Sequence, residues 1–210
     1  MYVPRHFATD ERTALTELLA LRPLVQLVST TADGLVATAL PMVLRDGVDG
    51  LRLQGHVARA NDHWKRVDGS TDSLVIVSGP DAYVSPNNYP TKARTHEVVP
   101  TWNYEAVHVA GELTVHDDPD WVLDLVTRLT DQHESGRPDA WAVADAPDDY
   151  LAVRLRGIVG VELTVRRIEA KAKLSQDKSA EDQEGVRAGL SAGSDADRAV
   201  ADRMRRVVGD

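Results

Sequence analysis

Leu24-Val25-Gln26-Leu27-Val28-Ser29-Thr30, a turn at Ala32-Asp33-Gly34, and a return from Leu35 to Leu40 decide the fold. The first run is short and rich in β-branched residues. Gly34 supplies the positive φ that a tight turn needs, so the two runs read as an antiparallel hairpin. Working outward, Leu51-Arg52-Leu53-Gln54 alternates as a third strand, and Ser73 to Ser78 reads as a fourth, closed by Gly79-Pro80. Ala106 to His116 and Ile158 to Val165 complete about six strands. Helices punctuate them. Asp10 caps a helix from about Glu11 to Leu21, whose Leu15, Leu18 and Leu19 fall at helical spacing before Pro23 stops it. Asp118-Pro119 opens another, with Val122, Leu125, Val126 and Leu129 as its apolar stripe, and a short one is expected near Asp149–Leu155. There is no βαβ rhythm and no internal repeat. The pattern predicts an antiparallel β-barrel with peripheral helices, an α+β fold.

The 210 residues suit one domain with an appendage. Residues 1–176 read as the barrel domain. Residues 177–210 read as a polar, glycine-spaced linker followed by a loosely attached helix from Asp195 to Val208, with Ser194 as cap and Asp197 as its capping-box partner. The chain has no Cys, which excludes disulfides, thiolate metal sites and Cys nucleophiles. With no apolar leader and no run long enough to span a membrane, the expected location is the cytoplasm. A net charge of −9 argues against broad contact with phosphate backbones, and no helix-turn-helix is visible, so direct DNA binding is not expected.

Four clusters carry residues able to hold a ligand. In Gln54-Gly55-His56-Val57-Ala58-Arg59-Ala60-Asn61-Asp62-His63-Trp64, Gly55 permits close backbone approach, and Arg59, Asn61 and helix-terminal amides suit a phosphate. His56 suits a phosphate donor or an iron ligand; the alternative is that it caps a helix, with Trp64 in the core. Gly79-Pro80-Asp81-Ala82-Tyr83-Val84-Ser85-Pro86-Asn87-Asn88-Tyr89 reads as a loop whose tyrosines offer flat faces or pack on the barrel. Val99 to Val109 contains Trp102, Asn103 and Tyr104, which suit a wall for a planar ligand, a dimer interface or core packing. Arg167 to Gln176 alternates Lys171, Lys173 and Ser175 on one side, either lining a site for an anionic ligand or forming a solvated edge. No catalytic triad and no HExxH spacing is present.

Taken together, Met1-Tyr2-Val3-Pro4-Arg5-His6-Phe7, Gly55-His56-Val57-Ala58-Arg59-Ala60-Asn61, Gly79-Pro80 through Ser85-Pro86, Pro100-Thr101-Trp102-Asn103-Tyr104 and Lys173-Leu174-Ser175-Gln176 resemble the PaiB family, described as FMN-binding negative transcriptional regulators. The resemblance implies an FMN-binding split barrel related to the pyridoxamine phosphate oxidase-like proteins, working as a homodimer around a planar cofactor. It implies His56, Arg59, Asn61, Trp102, Lys173, Ser175 and Gln176 as cofactor contacts, with a regulatory or redox role. It also reaches the haem-dependent piperazate synthases, which close an N–N bond in N5-hydroxyornithine. There the matching residues would be His56 as axial ligand to haem b iron and Lys173 in catalysis. Ala58 and Asn103-Tyr104 resemble the general PaiB pattern more than the synthases. The resemblance leaves open whether the chain is an enzyme.

Overall fold

The computed structural model describes residues 1–67 and 71–208. The elements, in chain order, are α1 (Glu11–Leu21), β1 (Leu24–Thr31), β2 (Gly34–Gly47), β3 (Gly50–Ala58), α2 (His63–Arg66), β4 (Thr71–Val84), α3 (Lys92–Thr95), β5 (Thr101–His116), α4 (Pro119–Glu134), α5 (Asp148–Leu155), β6 (Ile158–Lys173), α6 (Ala180–Ser191) and α7 (Asp195–Val208). The six strands close into a barrel in the order β1-β2-β3-β6-β5-β4, so the expected antiparallel barrel with peripheral helices is what forms. Among the described residues no helix is long and apolar enough to cross a membrane.

The chain forms two compact units. Unit 1 comprises Met1–Leu18, Ser78–Val107 and Glu169–Asp210; unit 2 comprises Leu19–Val77 and His108–Ile168. In unit 2, the β1–β2 hairpin turns where predicted: Thr31 pairs with Gly34, whose φ is 107°. The same device recurs at β2–β3, where Gly47 pairs with Gly50 at φ 122°. Alternation along β1 turns Val25, Leu27 and Ser29 inward. Helix α4 begins at the predicted cap, with Asp118 Oδ1 accepting from Asp120 N at 2.9 Å. It buries Val122, Leu125 and Leu129, the last two against Val43.

The strands run longer than their apolar alternation suggests. β3 continues through Gly55 and His56 to Ala58, and β4 continues through Gly79-Pro80 to Val84. The expected loop at residues 79–84 is therefore strand, and only Pro86–Asn88 forms a short 3-10 turn. β6 likewise extends past Val165 to Lys173. Charged and small residues masked these extensions because ladder bonds come from the backbone and need no apolar side chain.

In unit 1, Ala180–Ser191 is a helix, not the expected polar linker, capped by Ser179 Oγ accepting from Asp182 N at 3.2 Å. α7 starts at the predicted capping box: Ser194 Oγ accepts from Asp197 N at 3.2 Å and Asp197 Oδ2 from Ser194 N at 2.9 Å. Nor is this tail loosely held. Val186, Leu190, Val200, Ala201 and Met204 are buried in one cluster with Ala82, Val84, Tyr89, Ala172 and Leu174. The glycines in α6 are the reason the segment reads as linker. They serve packing instead: a Cβ on Gly185 would lie 2.3 Å from Asn88 O, so the helix lies directly on the 3-10 turn.

Candidate functional site

In unit 2, Gly55 and His56 lie within β3, paired with Val161 and Gly160 of β6. A Cβ on Gly55 would sit 2.7 Å from Pro41 O, so this glycine admits the neighbouring strand. His56 is half-buried, and its Nδ1 is sealed from solvent with no hydrogen-bond partner among the described residues. Burial pushes its pKa below the usual histidine value, so the ring is neutral at neutral pH. A bare lone pair is easier to leave unpaired in such a place than an N–H. We therefore assign the proton to Nε2, which makes that nitrogen a donor.

Gly160, opposite His56, carries the ring of Trp121 over it. A Cβ there would lie 2.2 Å from Trp121 Cζ3. Directly paired residues present their side chains on one face, so Trp121 covers the face that His56 occupies. Trp121 in turn stacks on His116, with centroids 4.0 Å apart and planes 6° from parallel. His116 Nε2 is also buried without a hydrogen-bond partner among the described residues: Glu162 Oε1 is 3.9 Å away, beyond hydrogen-bond reach. Sequence reasoning passed over this group. The only sequence signal is a glycine inside a strand, which marks a place where something large comes close.

Arg59 and Asn61 are committed to protein partners. The Arg59 guanidinium holds Asp117 in a bidentate pair (Nη1–Oδ2 2.9 Å) and donates to Arg156 O at 2.6 Å and Ile158 O at 3.2 Å. That pairing holds the Asp117 carboxyl below the usual carboxylate range. Asn61 Oδ1 accepts from His63 N at 2.9 Å, and its Nδ2 donates to Thr38 Oγ1 at 3.3 Å. The helix expected to present amides to a phosphate is the four-residue α2, one turn with no side-chain cap, starting at His63. His63 is buried. Its Nδ1 bonds Thr38 Oγ1 and its Nε2 bonds Ser29 Oγ, both at 2.9 Å, and Ser29 bonds Ser73 at 2.7 Å.

In unit 1, Lys173 Nζ donates to Thr101 Oγ1 at 2.6 Å and to Trp102 O at 2.7 Å. Burial pushes its pKa below the usual lysine value; the charge of Asp177 opposes this, and those of Lys178 and Lys171 reinforce it. Trp102 is 49% exposed. Its Nε1 donates to Asp81 Oδ1 at 2.9 Å, and it meets Tyr83 edge-on at 6.0 Å. Tyr89, by contrast, is buried and offers no face to a ligand. Ser175 is buried, takes a left-handed φ of 69°, and exchanges hydrogen bonds with Asn103 at 3.0 and 3.2 Å. Gln176 clamps the backbone behind it, accepting from Leu174 N at 2.7 Å and donating to Ala172 O at 2.6 Å. Ser175 and Gln176 thus shape the exit from β6. Among the described residues, no three His, Asp or Glu side chains converge as a metal site.

A six-stranded antiparallel ring with peripheral helices is the architecture of the split-barrel flavoproteins, and the comparisons with known proteins agree. A family model described as "Putative FMN-binding domain" matches residues 1–167. The chain is 30% identical over 186 residues to the "Protease synthase and sporulation protein PAI 2" of Bacillus subtilis, covering 89% of this chain and 87% of that one. The chain belongs to this flavin-binding split-barrel family. Among solved structures, the FAD and heme binding protein from Mycobacterium smegmatis superposes with a TM-score of 0.57 at 18% identity, over 89% of this chain and 80% of that one. The flavocytochrome Anf3 from Azotobacter vinelandii superposes with 0.58 at 15% identity, over 87% and 78%. At these identities the likeness is one of fold.

Proposed function

We propose that the chain binds FMN and serves a redox or regulatory role as a homodimer, with His56 donating a hydrogen bond through Nε2 to the cofactor. The observation that carries this reading is the orphaned, buried Nδ1 of His56. A histidine that ligates iron through one nitrogen ordinarily donates the other N–H to a carbonyl, carboxylate or water. Among the described residues the second nitrogen has no carbonyl or carboxylate acceptor, which favours a donor to an oxygen-rich cofactor over an axial ligand to haem. Family membership supports flavin independently of this argument. Bound FMN would supply the electron-transfer chemistry; the chain's own residues bind and orient it. The half-exposed Trp102 and Tyr83 support a subunit contact, since large aromatics are favoured in the core of interfaces.

The visible spectrum of the purified protein tests the cofactor directly, because flavin, haem and an empty protein absorb differently. A flavin spectrum is expected, with uptake of FMN in reconstitution. Tight uptake of haem, indifference to FMN and loss of the iron-ligand bands in His56→Ala would establish the haem reading instead. Sedimentation at micromolar concentration is expected to give a dimer, and a monomer would remove that part of the proposal.

A further inference from the structure

The last strand ends with two lysines on one face, Lys171 and Lys173, separated by the buried Ala172. Lys171 is only 9% exposed, unusual for a residue type almost never buried unless paired. Its Nζ lies 5.2 Å from the ring centroid of Tyr104, 5.7 Å from Tyr2 and 5.9 Å from Phe7. Lys173 Nζ lies 5.8 Å from the centroid of the same Phe7 ring, so two ammonium groups approach one phenyl ring. Among the described residues Lys171 has no carboxylate or hydrogen-bond partner, and the acceptors of Lys173 are a neutral hydroxyl and a backbone carbonyl. The nearby Asp177 is itself paired with Lys178 at 2.8 Å. Aromatic faces offset part of the cost of a desolvated ammonium, but they do not neutralise its charge. Asp177 is one carboxylate shared between Lys178 and Lys173, with Lys171 close behind them, and this excess of positive charge is a state that a further anion would relieve.

We propose that Lys171 and Lys173 form an oxyanion-binding site that takes the carboxylate or phosphate group of a small-molecule ligand. Thr101 serves as a positioning residue, since its hydroxyl holds Lys173 Nζ. Tyr2, which is 81% exposed and whose ring centroid lies 5.7 Å from Lys171 Nζ, presents apolar surface to the body of such a ligand. The site lies within unit 1 and does not depend on His56.

The probe is inorganic phosphate, titrated calorimetrically into the intact protein in chloride-free buffer. Binding is expected in the wild type. It should weaken by about tenfold or more in Lys171→Met and in Lys173→Met, the scale of one hydrogen bond to a charged group, and vanish in the double variant. Lys171→Arg keeps the charge and should keep the binding. Lys173 is half-buried, so Lys173→Met serves as the decisive variant should Lys171→Met fold poorly by circular dichroism. Displacement of phosphate by FMN but not by riboflavin would identify the anion as the cofactor's phosphate. Equal phosphate binding to flavin-saturated protein would identify a separate anionic ligand. Absence of phosphate binding at millimolar concentration, or undiminished binding in Lys173→Met, would overturn the proposal. Because phosphate is tested without flavin, failure of the FMN reading leaves this result standing.

Discussion

His63 and His56 lie on the same stretch of chain, in the same unit, and burial holds both below the usual histidine pKa. They differ in what they touch. Both ring nitrogens of His63 are bonded to hydroxyls, and the chain of bonds continues through Ser29 to Ser73. His56 has a buried nitrogen with no partner among the described residues. A polar group whose every atom is satisfied inside the protein holds the structure together. One left unsatisfied costs stability, and is kept where the rest of the side chain serves a purpose other than holding the fold. Two arginines differ in depth instead: Arg203 and Arg59 each grip a carboxylate with two nitrogens, but Arg203 does so in the interior and Arg59 at the surface.

The largest effect should come from breaking the interior arginine pair. Arg203 binds Glu105 at 2.6 and 2.9 Å and reaches Glu17 at 2.7 Å, fastening α7 to β5 and α1 within unit 1. Glu105 is only 6% exposed. Arg203→Met would leave that carboxylate without its counter-charge, and a loss of about 3–5 kcal/mol of stability is expected from urea unfolding. His63→Leu comes next. It removes one hydrogen bond each from the hydroxyls of Thr38 and Ser29, which keep Asn61 and Ser73, for an expected loss of about 1–3 kcal/mol. A loss of equal size in His56→Leu would break the comparison, because the two histidines would then be equally structural.

The satisfied half of this contrast was partly legible in the sequence, and the unsatisfied half was not. Strand count, the Gly34 turn, the caps at Asp10, Asp118 and Ser194, and the apolar stripe of α4 all follow from local chemistry, and local chemistry is what a sequence displays. The length of β3, β4 and β6 depends on ladder partners distant in the chain, such as His56 with Gly160. The helix α6 was hidden because its glycines, read locally, are breakers; only contact with Asn88 gives them a reason. At the candidate site, the residue types at His56, Trp102 and Lys173 were visible, but their commitments were not. Nothing near Arg59 in sequence announces its pairing with Asp117, and the bonds of Ser175 to Asn103 and of Gln176 to Leu174 and Ala172 need the turn after β6 to be seen.

Acid should sharpen the comparison. His56, His63 and His116 all have folded pKa values lowered by burial from an ordinary value of 6.5. As pH falls, the unfolded chain takes up these protons first. The contribution to stability is therefore complete above 6.5 and is lost as pH falls from there towards the lowered folded values. The urea midpoint is expected to fall between about pH 7.5 and pH 5.5, and the fall should be shallower in His63→Leu, which removes one of the three titrations. A profile identical to wild type in that variant would show that His63 is not buried as a neutral ring.

The smallest effect on stability is expected at His56, and it is the most informative. His56→Leu removes a polar nitrogen that the folded chain buries without a partner and puts a side chain of hydrocarbon in its place. The penalty for the orphan disappears, so the cofactor-free protein should unfold at a urea concentration equal to or slightly above that of wild type. Flavin retention should move the other way. The Nε2–H donor is lost, and FMN affinity should fall by about tenfold or more, the scale of one hydrogen bond to a charged or strongly polar acceptor. Arg59→Ala is the control, since its guanidinium is already committed to Asp117 and two backbone carbonyls; FMN affinity there should be unchanged. Stability and binding moving in opposite directions at one residue is a signature that a packing role cannot produce. If His56→Leu instead lowered the urea midpoint and left FMN affinity at the wild-type value, His56 would join His63 as a structural histidine, and the cofactor contact would have to be sought elsewhere on the barrel.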